Sequence, residues 1–313
     1  MYGIAGMCIK IYLLWKEIVY LDKKHSVLFI PFLFIALVFS HHIHAKDIIK
    51  LNKGRSTQDI RSDYNIDLLH KALKITEPEF GEYEIKVVSR GIPSIRIRQM
   101  ITEGSIVNVA MVVSTPEWEE AATPIRIPLR LGILNYRLLL INKNKASEFA
   151  NIKTLEQLKN KIVGLERHWA TWQTMSDLGF SVVSAYSYEA IFSMLDKSRF
   201  DYIPRGMHEI YDEINIRKGK LNNLMVEPNL ALYIPAPFYV FISPNEPRLI
   251  KRFELGISRL AQQGILKEKL NQHYSNFIKR ANLKSRLILD VSNLDLLPNT
   301  LVEDKELWFN WEK

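Results

Sequence analysis

At 313 residues the chain is long enough to bury a sizeable core and to fold as two lobes, and 47% apolar with 24% charged residues excludes global disorder. Its formal net charge of +8 is spread without a basic stripe or a recognition motif, which argues against nucleic acid as a partner. The single cysteine, Cys8, excludes a disulfide within the chain.

Residues 1–45 stand apart from the rest. Lys23-Lys24 precedes an uncharged apolar run over 27–39, shorter than the roughly 20 residues that span a bilayer. The run has the length of a signal-peptide core, and Ile43-His-Ala45 supplies a cleavage site. A leader over 1–45 that directs export to the periplasm is expected, with an uncleaved anchor as the alternative. Cys8 precedes the run, so lipidation just after it is excluded. Removing four of the 42 basic and two of the 34 acidic residues with the leader leaves 38 against 32, or +6.

From Asp47 short apolar strands alternate with amphipathic helices. Asp47-Ile-Ile-Lys-Leu-Asn reads as the first strand, and Ile66, Leu69, Ala72 and Leu73 have helical spacing over 64–75. Tyr83-Glu-Ile-Lys-Val-Val-Ser is a second strand, followed by a helix over 94–103. Ser105-Ile-Val-Asn-Val-Ala-Met-Val-Val is apolar enough for a central strand of a parallel sheet. This order is an α/β signature.

Arg137-Leu-Leu-Leu-Ile-Asn and Ala231-Leu-Tyr-Ile-Pro-Ala-Pro-Phe-Tyr-Val-Phe-Ile-Ser read as crossings into and out of a second lobe. That lobe has a helix starting Lys153-Thr-Leu-Glu-Gln-Leu-Lys and strands at 161–165 and 180–184. A helix over 188–197 follows, then a strand Arg199-Phe-Asp-Tyr-Ile-Pro that delivers Arg205 and Gly206 to its carboxyl end. Ligands of open α/β sheets bind beyond such ends. Helices are expected over 247–263 and 267–280, then an aperiodic tail ending Leu307-Trp-Phe-Asn-Trp311.

Thr154-Leu-Glu-Gln-Leu-Lys-Asn-Lys-Ile-Val-Gly, Leu195-Asp-Lys-Ser-Arg-Phe-Asp, Phe241-Ile-Ser-Pro-Asn-Glu-Pro and Leu260-Ala-Gln-Gln-Gly-Ile-Leu-Lys-Glu-Lys-Leu-Asn-Gln-His-Tyr, in this order, resemble the type II periplasmic solute-binding proteins. The likeness is to the family-3 receptors for amino acids and similar polar molecules, over about 47–274. It implies an α/β fold of two lobes, each a mostly parallel sheet flanked by helices, joined by two crossing strands. The first lobe would take 46–138 and 236–313, with the tail, and the second 139–235. It further implies hinge closure on a small-molecule ligand and delivery to an inner-membrane permease or a sensor, by a monomer with no cofactor or metal.

The sequence departs from that family in the ligand clamp. Where amino-acid receptors of the family carry Thr-x-x-Arg for the α-carboxylate, this chain has Thr115-Pro-Glu-Trp118. The acid usual five positions after the aspartate of the Arg-x-Asp phrase is here Gly206. An ordinary amino-acid clamp is thus absent, and Arg205 beside Gly206 suggests an anionic ligand group, since its fork suits a carboxylate. The competing reading is an ion pair with Glu209 or Asp212. Arg126 and Arg130 are candidates to replace the lost guanidinium, or else lie on a solvated edge. Trp118, Trp169, Trp172 and Tyr64 are candidate stacking faces, each with core packing as the alternative. His168 belongs to the same loop as the tryptophans, and Arg90 ends the second strand. No Gly-x-Ser-x-Gly, P-loop or Gly-x-Gly-x-x-Gly is present. The reading is a non-catalytic receptor; a sensory module and an enzyme on the same fold are the alternatives.

Overall fold

The computed structural model describes residues 46–53, 60–90, 92, 94–167, 169, 171–292 and 308–309. The expected leader, His168, the Arg90 side chain and most of the tail lie outside them.

The first lobe begins with β1 (Asp47–Lys53) paired in parallel with β2 (Tyr83–Arg90), the two linked by α1 (Ile60–Lys74) and a short α2 (Glu77–Phe80). After α3 (Ser94–Glu103) the chain enters β3 (Val109–Val113), α4 (Pro116–Ala121) and β4 (Thr123–Ile125). Asn108 ties β1 to β3. Its backbone N–H donates to the Lys50 carbonyl at 3.1 Å, its side-chain oxygen accepts the Lys50 N–H at 2.7 Å, and its amide donates to the Ile48 carbonyl at 2.8 Å.

Beyond a 3₁₀ turn, β5 (Tyr136–Asn142) crosses into the second lobe. There follow α5 (Ala146–Ala150), α6 (Leu155–Lys159), β6 (Val163–Gly164), α7 (Thr171–Asp177), β7 (Val182–Val183), α8 (Tyr188–Asp196), β8 (Tyr202–Gly206) and α9 (Ile210–Arg217). Then β9 (Leu224–Tyr233) and β10 (Phe238–Ile242) return the chain to the first lobe, where α10 (Pro247–Gln262) and α11 (Ile265–Ala281) pack, before β11 (Leu287–Asp290). The six-stranded sheet of the second lobe runs β11-β9-β5-β8-β6-β7.

The described strands form three sheets: β1-β2 is parallel, β3-β10-β4 is antiparallel, and the six-stranded sheet is mixed. β3 is antiparallel to its neighbour β10, not a central parallel strand, and β5 is antiparallel to β8 and β9. The reason lies in the crossings: a strand that carries the chain between lobes must run against the strands wound within a lobe. A second difference concerns the tail. β11 comes from the stretch read as aperiodic and assigned to the first lobe, yet it pairs in parallel with β9 in the six-stranded sheet.

Apolar periodicity explains the packing. α1 buries Leu68, Leu69, Ala72 and Leu73, and α10 buries Leu249, Phe253, Ile257 and Leu260 in the same core cluster. Gly256 makes this approach close, because a Cβ there would collide with the Ala72 carbonyl oxygen. α6 opens with a capping box between Thr154 and Gln157, which fixes the start of this helix after α5.

Candidate functional site

β5 and β8 pair antiparallel with Arg137 opposite Gly206 and Leu138 opposite Arg205. The amino end of the crossing strand therefore lies beside the carboxyl end of β8. Every residue of β8 is buried.

The Arg205 side chain turns toward α8 and α9. Its Nε donates to both Glu213 oxygens at 3.1 and 2.8 Å, and its Nη2 donates to Glu213 Oε1 at 2.5 Å. Glu209 Oε1 lies 3.1 Å from the same Nη2. The guanidinium also sits 4.3 Å from the centre of the Trp169 ring, within cation–π range. Burial works against this charge, but Glu209 and Glu213 outweigh it and hold the Arg205 pKa above the ordinary arginine value. Tyr188 donates its hydroxyl to Glu213; burial and that carboxylate push the phenol up. A further pair closes the group, Arg217 donating to Glu189 at 3.0 and 2.6 Å. Arg205 is thus held in an ion pair, with Glu213 two helical turns further on as the main partner and Glu209 as the second.

Gly206 is where the family's acid would stand. A Cβ at this position would lie 2.5 Å from the His208 ring and 3.1 Å from Glu209 Oε1. Glu209 Oε1 accepts the Gly206 N–H at 3.0 Å. A carboxylate therefore occupies the neighbourhood that Gly206 leaves open, delivered from three residues downstream.

In the first lobe Arg126 donates to Glu119 bidentately, at 2.9 and 2.5 Å, and Glu119 also accepts the Ser114 hydroxyl at 2.6 Å. Arg126 keeps 28% of its side chain exposed and adjoins an open groove of about 380 Å³, lined also by Pro124, Ile125, Ile127 and Glu254. Tyr239 is fully buried, and burial pushes its hydroxyl up to about 12, Arg126 opposing and Glu119 adding to the shift.

The remaining candidates are engaged in packing. Trp118 is buried with Ile97, Ile101 and Phe241, its ring 5.6 Å from that of Phe241. Tyr64 donates its hydroxyl to the Leu129 carbonyl at 2.9 Å and packs its ring on His273 and Tyr274. Arg130 is buried, donates to Asn65 at 3.3 Å and lies 4.5 Å from the Phe238 ring centre. Trp169 is half-buried between the two larger core clusters, and Trp172 packs on the second-lobe core. The structure brings Arg205 and Trp169 together; Arg126 belongs to a separate group with Glu119.

Arg137, Glu213 and Glu119 were missed by the sequence reading. A lone cation in the apolar run Tyr136-Arg-Leu-Leu-Leu-Ile-Asn was the available signal for the first. No comparable signal marks the two glutamates, since their partners come from strands and loops.

No protein-family model matches the sequence, and neither does any curated protein. Among solved structures, an ancestral arginine-binding protein bound to arginine aligns with a TM-score of 0.51 at 16% identity, over 74% of this chain and 100% of that one. The ancestral arginine-binding protein bound to glutamine gives a TM-score of 0.51 at 16% identity, over 74% and 99%. At such identity the likeness is one of fold: this chain has the two-lobed fold of type II periplasmic binding proteins.

Proposed function

We propose that the chain beyond the leader is an exported, non-catalytic receptor that encloses a small polar solute between its lobes and presents it to an inner-membrane transporter. The observation that carries this reading is the placement of the crossing strands. β5 begins beside the carboxyl end of β8, and β9 leads back to β10 beside the carboxyl end of β3. Polar and aromatic side chains collect at both ends, around Ser114, Glu119 and Arg126 in one lobe and Arg137, Glu209 and Trp169 in the other. A hinge in two crossing segments can bring such ends together on a ligand.

The non-catalytic reading is supported by how these groups are used. The carboxylates Glu119, Glu209 and Glu213 are engaged by guanidiniums and hydroxyls, an arrangement suited to holding shape rather than moving protons. Arg205 and Arg126 spend their charge on carboxylates, so neither supports the anionic ligand group expected from the sequence. The fold neighbours bound to arginine and glutamine support a polar solute of that size.

The test is a thermal-shift panel of small metabolites together with small-angle scattering. A bound solute at a hundredfold excess over Kd stabilises the fold by about 2.7 kcal/mol, which a melting curve resolves. Compaction should accompany it. Absence of both across the panel would refute the receptor reading.

A further inference from the structure

We propose that Arg137 is the ligand-anchoring cation of this cleft, and that the group it receives is a carboxylate of the bound solute; the inference rests on the receptor reading above. Its position is fixed by the fold, on the crossing strand and opposite the last residue of β8.

The guanidinium is enclosed yet poorly partnered. Only 13% of the side chain is exposed, and Nε is buried with no hydrogen-bond partner among the described residues. Among the described residues the one carboxylate within ion-pair range is Glu209, at 3.9 Å from Nη1, beyond hydrogen-bonding distance. That oxygen already accepts the Gly206 N–H and faces Arg205, and Glu213 is held by Arg205 and Tyr188. Burial pulls the Arg137 pKa below the ordinary arginine value; Glu209 opposes this and the nearby Arg205 adds to it.

The other arginines show that this is not how the fold treats an enclosed guanidinium. Arg130, Arg205, Arg217 and Arg252 are buried, and each donates hydrogen bonds, Arg252 to Thr76, Asp47, Leu73, Gly81 and Glu82. Leaving the donors of a buried cation unmade is unfavourable. A planar fork with free donors is matched by a carboxylate, which accepts two parallel hydrogen bonds. The Arg205 ion pair then acts as the wall that keeps Glu209 and Glu213 turned away from Arg137.

The experiment uses the full chain and, as probes, small mono- and dicarboxylates beside their uncharged amides, read by thermal shift and calorimetry. At least one carboxylate should bind the wild type more tightly than its amide. Arg137→Met should weaken that binding roughly 10- to 100-fold, the loss of charge-assisted hydrogen bonds. Arg137→Lys should recover part of it. Ligand-free Arg137→Met should melt no lower than the wild type, because it gives up no hydrogen bond. Equal carboxylate binding by Arg137→Met and the wild type would overturn the inference while leaving the receptor reading intact. So would a ligand-free variant that melts well below the wild type, since that marks a structural cation. If no carboxylate probe shifts the wild type, the inference falls, while the receptor reading stands or falls on the metabolite panel above.

Discussion

Replacing Arg205 with Met separates a ligand contact from an internal brace. The substitution removes three hydrogen bonds to Glu213 and the contact with Glu209, and leaves both carboxylates enclosed. Breaking one side of a buried ion pair costs about 3–5 kcal/mol. Melting temperatures of chains this size move by roughly 2–4 °C per kcal/mol, so Arg205→Met should melt on the order of 10 °C lower. Glu213→Leu alone should cost a similar amount. The double variant Arg205→Met/Glu213→Leu replaces the pair with apolar volume and should recover most of the loss, giving a coupling energy of at least about 3 kcal/mol. Differential scanning calorimetry of the four proteins measures this cycle. Arg205→Met melting within about 2 °C of the wild type while losing solute binding would refute the brace and restore Arg205 as a ligand residue.

Three further outcomes follow from the same structure. Arg252→Met removes five hydrogen bonds that tie α10 to β1, α1 and α2, and should cost about 3–5 kcal/mol in denaturant unfolding; a loss below about 1 kcal/mol, as for a surface pair, would sink this account. Gly132 has φ +74°, and the Trp308 ring lies where its Cβ would be. Gly132→Val should therefore cost about 1–2 kcal/mol for the left-handed backbone alone, and it should shift tryptophan emission by displacing Trp308; unchanged emission would show that the ring does not rest there. Glu227 is fully buried, and burial pushes its carboxyl above the ordinary value although the Leu230 and Asn229 N–H groups pull it down. A raised folded-state value means that its stability is full below about pH 4.3 and is lost as pH rises through the folded value. Glu227→Gln should then melt above the wild type at neutral pH, with the gap closing toward pH 4; a gap independent of pH would contradict the raised carboxyl.

The order of strands and helices was legible because apolar spacing and local phrases record it, as Leu69, Ala72 and Leu73 do for α1. Strand direction was not. An apolar run such as Val109–Val113 looks the same beside a parallel or an antiparallel neighbour, and the crossing that reverses β10 is a long-range fact. β11 was hidden for a related reason: four residues have too little periodicity to read until β9 offers an edge. Trp118 could have faced the cleft or the core, and it turns inward because α3 offers it Ile97 and Ile101 and β10 offers Phe241. Of the two partners offered for Arg205, Glu209 is one, and the main partner is Glu213, the residue after Asp212. A strand residue aimed along a helix can reach Glu213, eight positions away, as readily as Glu209.

The missing clamp acquires a physical meaning from Gly206. With no side chain at that position, the space is taken by His208 and Glu209, so a carboxylate stays at the end of β8 but comes from the next turn. An acid supplied that way arrives beside Arg205, and the two neutralise each other at 3.1 Å. An ammonium group of a ligand would have to compete with a guanidinium already in place, which disfavours it. Arg137 is the opposite case, because the carboxylate in ion-pair range among the described residues, Glu209, stands 3.9 Å off and is committed elsewhere. Losing the acid at 206 therefore does more than delete an anchor. It leaves Arg137 on β5 as the enclosed, weakly paired cation at this end of β8, the feature on which the proposed carboxylate anchor rests.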